Sequence, residues 1–321
     1  MNPIHDIARW VAGLLQSSGS AVQSVSQGVP VSVWAGFADL GSATGVDLLK
    51  ELKDAGADTI IFTPLNDASK RVWDWQPSRA RILRGIDAAA LLGFKVGVGP
   101  WARCDARFMD SAGAQVAGLL KDAEGAVSFV ELDCEGSWET TARRGARRHP
   151  DGLTGAVNDA VDAFRQHVSD VPLTATVLYF RRPGGTALLK SVDADIRSVT
   201  VQAYSVWFNN NPATQADNFQ PGVLQRRAFD NFKTFKAEHD IDELVMGLGW
   251  YSQDRSAAPA HLRLSKAEAF RRASEACLTL GCDRVSGWAC HLFDGASAVE
   301  RERRALVLRE IRYLTTGGQS E

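Results

Sequence analysis

The feature that most constrains the fold is a pattern that recurs eight times from residue 29 onward: a helical stretch, a glycine-containing turn and a short apolar run rich in β-branched residues. Each apolar run has the length of a buried strand and ends in polar or aromatic residues. The predicted strands are VPVSVWAGF (29–37), DTIIFTP (58–64), FKVGVGPW (94–101), VSFVELD (127–133), LTATVLYF (173–180), SVTVQAYSVW (198–207), LVMGLGWYS (244–252) and RVSGWACHLF (284–293). Strands that alternate with helices predict βαβ units and a parallel sheet.

The number and spacing of these units favour one fold class. Eight units fit a (β/α)8 barrel, whose usual size is about 250 residues plus insertions. The helix before strand eight starts with the capping-box spacing Ser265 to Glu268 and stops at Gly281. A doubly wound sheet is the alternative, but no glycine-rich phosphate turn follows the first strand. We therefore predict an α/β protein with a (β/α)8 TIM barrel over residues 29–321.

Residues 1–28 form a separate segment, predicted as a short N-terminal helical extension. Residues 4–16 have the pattern of an amphipathic helix, and a connector rich in Ser, Gln and Gly follows to Gly28. A helix that caps the barrel bottom and a docking helix are both open. The apolar patch from Trp10 to Leu15 is too short for a membrane span, and Asp6 lies where a signal peptide would be basic. We expect cytoplasmic synthesis without a signal peptide.

Composition excludes several classes of function. The chain has 36 Lys and Arg against 38 Asp and Glu, which gives no basic footprint for nucleic acid. The five cysteines are scattered, so we expect reduced thiols and no disulfides. No His-x-His pair and no Gly-x-Ser-x-Gly elbow occurs, and Lys95 lies at the wrong end of its strand for a Schiff base. We predict no metal and no cofactor.

Carboxylates on strand four indicate an active site. Glu131, Asp133 and Glu135 alternate along an otherwise apolar run, so their side chains share one strand face. Buried acids this close together require a polar cavity, and such a cavity is usually catalytic. The alternative is that one of them is a structural partner of a buried arginine.

Aromatic and polar residues recur at the ends of the predicted strands, where a barrel builds its site. The candidate binding residues, besides Glu131, are Trp34, Asp39, Trp101, Trp138, Gln202, Trp207, Trp250, Tyr251 and Trp288. A single Trp more often packs in a core. Recurrence at one end of successive units favours a sugar site, because flat rings suit the apolar faces of sugars. Paired acids in an aromatic cleft most commonly catalyse glycoside hydrolysis.

These motifs resemble the family 18 glycoside hydrolases, the chitinase-like barrels. The resemblance rests on the strand-four acids, VQAY (201–204), GLGWYS (247–252) and VSGWA (285–289). It implies that Glu135 is the general acid and that Asp133 and Tyr204 act on the substrate N-acetyl group. It also implies that the Trp288 ring forms the floor of a sugar subsite. Ser128, Phe129 and Glu131 stand where that family has Asp, Gly and Asp.

The Asp133-x-Glu135 pair is also similar to the strand-four motif of family 25 lysozymes. Both families act on N-acetylated amino sugars, so the resemblance implies a β-1,4-linked polymer of these sugars as substrate, peptidoglycan first and chitin-like glycan second. Together with the expected lack of an export signal, this favours a phage endolysin that acts on the bacterial cell wall after release. A catalytically silent barrel that binds glycan or a protein partner remains the alternative.

Overall fold

Eight parallel strands close into one barrel, in the order in which they occur along the chain. The computed structural model describes residues 28–36, 40–63, 76–178, 196–204, 221–238, 241–250, 265–289 and 298–319. The strands are β1 (Val31–Gly36), β2 (Thr59–Phe62), β3 (Lys95–Val98), β4 (Phe129–Cys134), β5 (Leu173–Leu178), β6 (Ile196–Gln202), β7 (Glu243–Gly249) and β8 (Arg284–Trp288). All eight predicted strands and the TIM-barrel prediction are confirmed.

Helices surround this barrel. In the described part of the chain they are α1 (Ala43–Asp54), α2 (Gln76–Leu91), α3 (Ala106–Asp122), α4 (Gly136–Ala146), α5 (Gly152–Arg165), α6 (Val223–Glu238), α7 (Lys266–Leu280) and α8 (Ala298–Thr315). The predicted limits of α7 are confirmed, because the Ser265 hydroxyl accepts from the Glu268 N–H and Gly281 is left-handed with φ 68°. None of the described helices is long and apolar enough to cross a membrane.

Strand alternation divides the apolar residues into two layers. Side chains such as Val33, Val130 and Leu132 point outward and join the main core between the strands and the helices. The alternate positions point into the barrel, where Trp34, Ile61 and Phe129 form a second, smaller cluster. A residue's place in the alternation therefore decides whether it faces the helices or the barrel interior, and hence whether it can belong to a site.

The predicted N-terminal helix (4–16) lies outside the described residues. The first described residues lie beside the C-terminal end of α8, where the Val29 N–H donates to the Leu314 carbonyl at 2.9 Å. The four described cysteines are free thiols, and Cys290 lies outside the described residues. The four are Cys104, Cys134, Cys277 and Cys282.

Candidate active site

The candidate site is built on the inward face of β4. Glu131 and Asp133 are each 4% exposed, whereas the residues between and beside them pack outward against the helices. Glu135 follows the strand and is half-buried at the mouth, the end of the barrel formed by the strand C-termini. The three acids thus rise along one face from the interior to the mouth, about 6–7 Å per step along the strand.

Glu135 occupies a special backbone position as the N-cap residue of α4. Its backbone is extended, with φ −83° and ψ −160°, and its side chain makes no capping hydrogen bond. The side chains preferred at this position, those of Ser, Thr, Asp and Asn, accept a hydrogen bond from the first turn of their helix. Because Glu135 does not, its carboxyl group remains available to a ligand at the mouth.

Gln202 links the two upper acids from the end of β6. Its Nε2 donates to Asp133 Oδ1 at 3.3 Å, and its side chain also hydrogen-bonds Glu135. The strand end that carries Gln202 is fixed in turn by Gln225, whose buried amide donates to the Ala203 carbonyl at 2.8 Å. The positions of the acid pair therefore depend on two amides on neighbouring elements.

Burial dominates the acid–base properties of this set. Desolvation raises the pKa of Glu131 to about 7, and hydrogen bonding from Thr200 opposes the shift. Desolvation and then the nearby charges of Glu135 and Glu131 raise the pKa of Asp133 well above its ordinary value. Desolvation also raises the pKa of Glu135, against the hydrogen bond from Gln202. A carboxyl group that keeps its proton near neutral pH can act as a general acid.

The backbone of Asp133 is held by the segment after β3. Its N–H donates to the Pro100 carbonyl at 2.8 Å, and its carbonyl accepts from the Ala102 N–H at 3.0 Å. Between them, Trp101 pairs with Asp133 as an isolated bridge, and its ring meets Phe108 edge to face at 5.9 Å. Trp101 is thus adjacent to the acids through the backbone and only partly buried.

Two stacked indoles line another part of the interior. The rings of Trp34 and Trp288 lie 4.7 Å apart with an interplanar angle of 28°. The ring of Trp34 occupies the space beside Gly99, where a Cβ would lie 2.4 Å from it. Trp34 is only 2% exposed, whereas Trp288 is half-buried. Trp288 is therefore the indole of this pair with surface available to a ligand.

Not every predicted binding residue joins this group. Trp138 lies on α4 with no exposed surface, and Trp250 is 1% exposed; both belong to the main core outside the barrel. Trp250 packs over Gly287, where a Cβ would meet its ring at 2.0 Å. Strand alternation explains its position, because Trp250 is an odd number of residues from the inward Glu243.

The remaining predicted residues divide between described and undescribed parts of the chain. Tyr204 is buried just after the end of β6, two residues beyond Gln202. The proposed binding residues Asp39, Trp207 and Tyr251 lie outside the described residues. Among the described residues, no three His, Cys, Asp or Glu side chains are grouped as a metal site.

Sequence reasoning missed the polar lining of the barrel interior. Thr176 and Thr200 are buried beside the acids, and Thr176 Oγ1 donates to the Thr200 carbonyl at 3.2 Å. Gln225 was also missed, since nothing in a helix pattern marks an amide that fixes a strand end. The alternation of valines with Thr200 and Gln202 in VTVQ was the signal that could have revealed an inward polar face.

Comparison with known proteins finds likeness in structure and not in sequence. No family model matches the chain, and no curated protein matches it in sequence. The catalytic domain of a hyperthermophilic chitinase from Pyrococcus furiosus superposes with a TM-score of 0.55 at 11% identity, over 92% of this chain and 99% of that one. A GH113 β-1,4-mannanase gives 0.53 at 12% identity, over 87% and 98%.

A third solved structure is the spore cortex-lytic enzyme SleL of Bacillus cereus. It gives a TM-score of 0.52 at 10% identity, over 92% of this chain and 77% of that one. Identities this low show a shared fold and leave the activity open. The chain has the TIM-barrel fold that these glycoside hydrolases also have.

Proposed function

We propose that this protein is a glycoside hydrolase that cleaves a β-1,4-linked polymer of N-acetylated amino sugars, with peptidoglycan as its foremost substrate. The observation that carries the proposal is the face of β4, on which Asp133 and the half-buried Glu135 stand at the mouth and share Gln202. Glycoside cleavage requires one protonated acid and one carboxylate, and this pair can supply both, because a proton on Glu135 removes a charge that raises the pKa of Asp133.

Glu135 is the general acid in this proposal. Its burial favours the protonated form, and its side chain is not engaged by the helix that it caps. As the bond between the anomeric carbon and the glycosidic oxygen breaks, Glu135 gives its proton to that oxygen, and the leaving sugar departs as an alcohol. Glu135 is then an anion that accepts a proton from the attacking water in the hydrolytic step.

Asp133 lies deeper in the barrel than Glu135 and acts at the anomeric carbon, whereas Glu135 acts at the glycosidic oxygen. Its carboxylate, oriented by Gln202, either positions the N-acetyl group of the substrate for attack on the anomeric carbon or stabilises the positive charge that develops there. We favour the N-acetyl route, in which Tyr204 assists. Trp288, half-buried above Trp34, supplies a flat apolar surface for a sugar ring.

The choice of peptidoglycan has two supports. The strand-four motif resembles two families that act on N-acetylated amino sugars. The solved structures with the same fold include a chitinase and a spore cortex-lytic enzyme. We propose action on the bacterial cell wall, in the manner of an endolysin.

A substrate panel tests the activity directly. Purified peptidoglycan, chitin and β-1,4-mannan are incubated with the protein, and released reducing ends are identified by mass spectrometry. We expect cleavage of peptidoglycan foremost and no cleavage of mannan. Binding of a glycan without any new reducing end would replace the hydrolase with a silent glycan-binding barrel.

The fate of the N-acetyl group tests the mechanism. If that group is the internal nucleophile, a thiazoline analogue of the cyclised intermediate inhibits competitively, the product retains its anomeric configuration by NMR, and de-N-acetylated glycan is not cut. Inverted product or undiminished cleavage of de-N-acetylated glycan would assign Asp133 to positioning a water instead.

A further inference from the structure

The barrel interior contains a second polar region, below the acid pair. A cavity of about 110 Å³ lies toward the N-terminal ends of the strands, and Glu131 lines its inner end. Only four of its lining residues are apolar, and the rest are hydroxyl-bearing or charged. The apolar ones are Ile61, Phe129, Pro172 and Val245.

The cavity runs from solvent to a deeply buried acid. Lys95 and Ser128, at its outer end, are exposed, whereas Glu131 and Thr200, at its inner end, are each 4% exposed. Glu131 Oε1 is fully buried and has no hydrogen-bond partner among the described residues. An unpaired carboxylate oxygen is expensive to bury, and roomy polar cavities normally satisfy such atoms with water.

The charged groups around Glu131 do not satisfy this oxygen. Arg284 is held by other acids, with Nη1 at 2.5 Å from Asp58 and Nε at 3.1 Å from Glu243. Glu243 also accepts from the Ser198 hydroxyl at 2.8 Å. Lys95 Nζ lies 5.0 Å from the centre of the Phe129 ring.

The remaining elements around Glu131 carry hydroxyl groups or an acid. On its own strand the charged neighbour is Asp133. From β1, β2, β5 and β6 come Ser32, Thr59, Thr174 and Thr200. The protons of Ser32 and Thr59 go to the Val285 carbonyl and to Asp58 Oδ1, at 3.4 and 2.8 Å, and the hydroxyl oxygens keep lone pairs that can accept from water. Hydroxyl oxygens that accept from water, around an acid with an unpaired oxygen, favour hydration of the cavity.

We propose that ordered water fills this cavity and connects Glu131 to solvent through the N-terminal end of the barrel, opposite to the mouth. The volume accommodates about three to four waters at their share of liquid volume. A proton then passes between bulk solvent and the Glu131 carboxylate along the water chain, independently of what occupies the mouth.

This route has a consequence for the acids above. The charge of Glu131 acts on Asp133, and a negative Glu131 raises the pKa of that residue further. The protonation of the acid pair therefore responds to the solvent pH even while a ligand covers the mouth. The inference rests on the cavity and its lining, and holds whether or not the protein cleaves glycans.

Two matched substitutions on β5 test the proposal. Thr174→Val removes a hydroxyl from the cavity at nearly constant volume, and Thr176→Val makes the same change one inward position higher, outside the cavity. The titration midpoint of the Glu131 carboxyl carbon is measured by NMR, with Glu131→Gln for assignment. We expect Thr174→Val to raise the midpoint by about one pH unit and Thr176→Val to change it much less.

Equal shifts in the two variants, or no shift in Thr174→Val, would overturn the proposal. A high-resolution crystal structure of the unaltered protein is the second test and does not depend on any variant folding. We expect a water within hydrogen-bonding distance of Glu131 Oε1 and a continuous chain of waters from it to Ser128. A dry cavity, or a protein donor on Oε1, would also overturn it. Neither measurement uses enzymatic activity, so a negative result in the substrate panel leaves this test intact.

Discussion

The two sides of the barrel interior differ in chemistry above the hydroxyls of Ser32 and Thr59, which β1 and β2 contribute to the lower cavity. On the apolar side, Trp34, Ile61 and Phe129 pack together, with Trp288 against them. On the polar side, β5 and β6 present hydroxyl and amide groups. The inward residues of that side are Thr174, Thr176, Ser198, Thr200 and Gln202. β4 lies between the sides and contributes to both, with Phe129 to one and its acids to the other.

This contrast shows how a barrel can hold acids that are buried and still able to react. Apolar walls remove water and so raise the pKa of a carboxyl group. Hydroxyls and an amide on the other side satisfy part of its hydrogen-bonding capacity and limit the energetic cost. Glu131 shows both effects, since burial raises its pKa and the hydrogen bond from Thr200 lowers it. Substitution of the acids should therefore lower activity, whereas substitution on the apolar side should lower stability.

The largest effect on activity is expected at Glu135, just beyond the C-terminal end of β4. We predict that Glu135→Gln lowers glycan cleavage by about 100- to 10,000-fold, the usual contribution of a positioned general acid. The free energy of unfolding should stay the same or rise, because the amide carries no charge to desolvate. Initial rates on peptidoglycan and urea denaturation measure the two quantities.

The matched control is Glu302→Gln on α8, an exposed glutamate far along the chain from β4. It should retain the activity and stability of the unaltered protein. Near-normal hydrolysis by Glu135→Gln would remove Glu135 from the general-acid role.

On the apolar side we expect loss of stability instead. Trp34→Ala should reduce the free energy of unfolding by about 3–5 kcal/mol, because it removes a 2%-exposed ring that fills the space beside Gly99. Trp34→Phe keeps most of the packing and should cost less. If Trp34→Ala unfolds at the normal denaturant concentration and only sugar binding falls, Trp34 belongs to the binding surface.

The pH dependence of the free energy of unfolding tests whether burial raises the pKa of Glu131. Its folded pKa of about 7 lies above the ordinary carboxyl value of 4.5, so the folded protein binds more protons between these values. Stability contributed by the protonated group is present below about pH 4.5 and is lost as the pH rises toward 7. Glu131→Gln should remove this loss, worth about 3 kcal/mol above pH 7.

Unfolding free energies of both proteins at pH 5 and pH 8 measure this effect. The advantage of Glu131→Gln should be larger at pH 8. An equal difference at the two pH values would mean that Glu131 has an ordinary pKa in the folded protein.

The sequence predicted the barrel well because local patterns carry that information. Each strand is a short β-branched run between helices, and Ser265 and Gly281 mark the ends of α7 as their chemistry requires. The alternation that puts Glu131, Asp133 and Glu135 on one face is equally local. These features need no knowledge of which strands become neighbours.

The orientations of the predicted binding residues were predicted less well, because the direction in which a side chain points beyond a strand end is not a local property. Trp250 and Trp138 end near the right level of the barrel but pack outside it. The Gln225 side chain acts by donating to a carbonyl on another element, and residue spacing along the chain does not reveal such a contact. The lower cavity likewise combines residues from all the strands, and it becomes visible only when the barrel is closed.

The smallest effect should separate the two stacked indoles of the apolar side. Trp288 is half-buried over Trp34, so Trp288→Ala exposes less of the core than Trp34→Ala while removing the ring surface offered to a sugar. We predict that oligosaccharide affinity falls about tenfold, in line with about 0.5–1.5 kcal/mol for an aromatic pair beyond simple burial. Calorimetric titration of a chitin-derived oligosaccharide measures the affinity, and thermal unfolding should show a smaller drop for Trp288→Ala than for Trp34→Ala. Trp288→Phe retains a flat ring and should keep most of the affinity. A collapse of the melting temperature with unchanged affinity of the folded fraction would place Trp288 in the core with Trp34, and the apolar side would then be a wall that only excludes water.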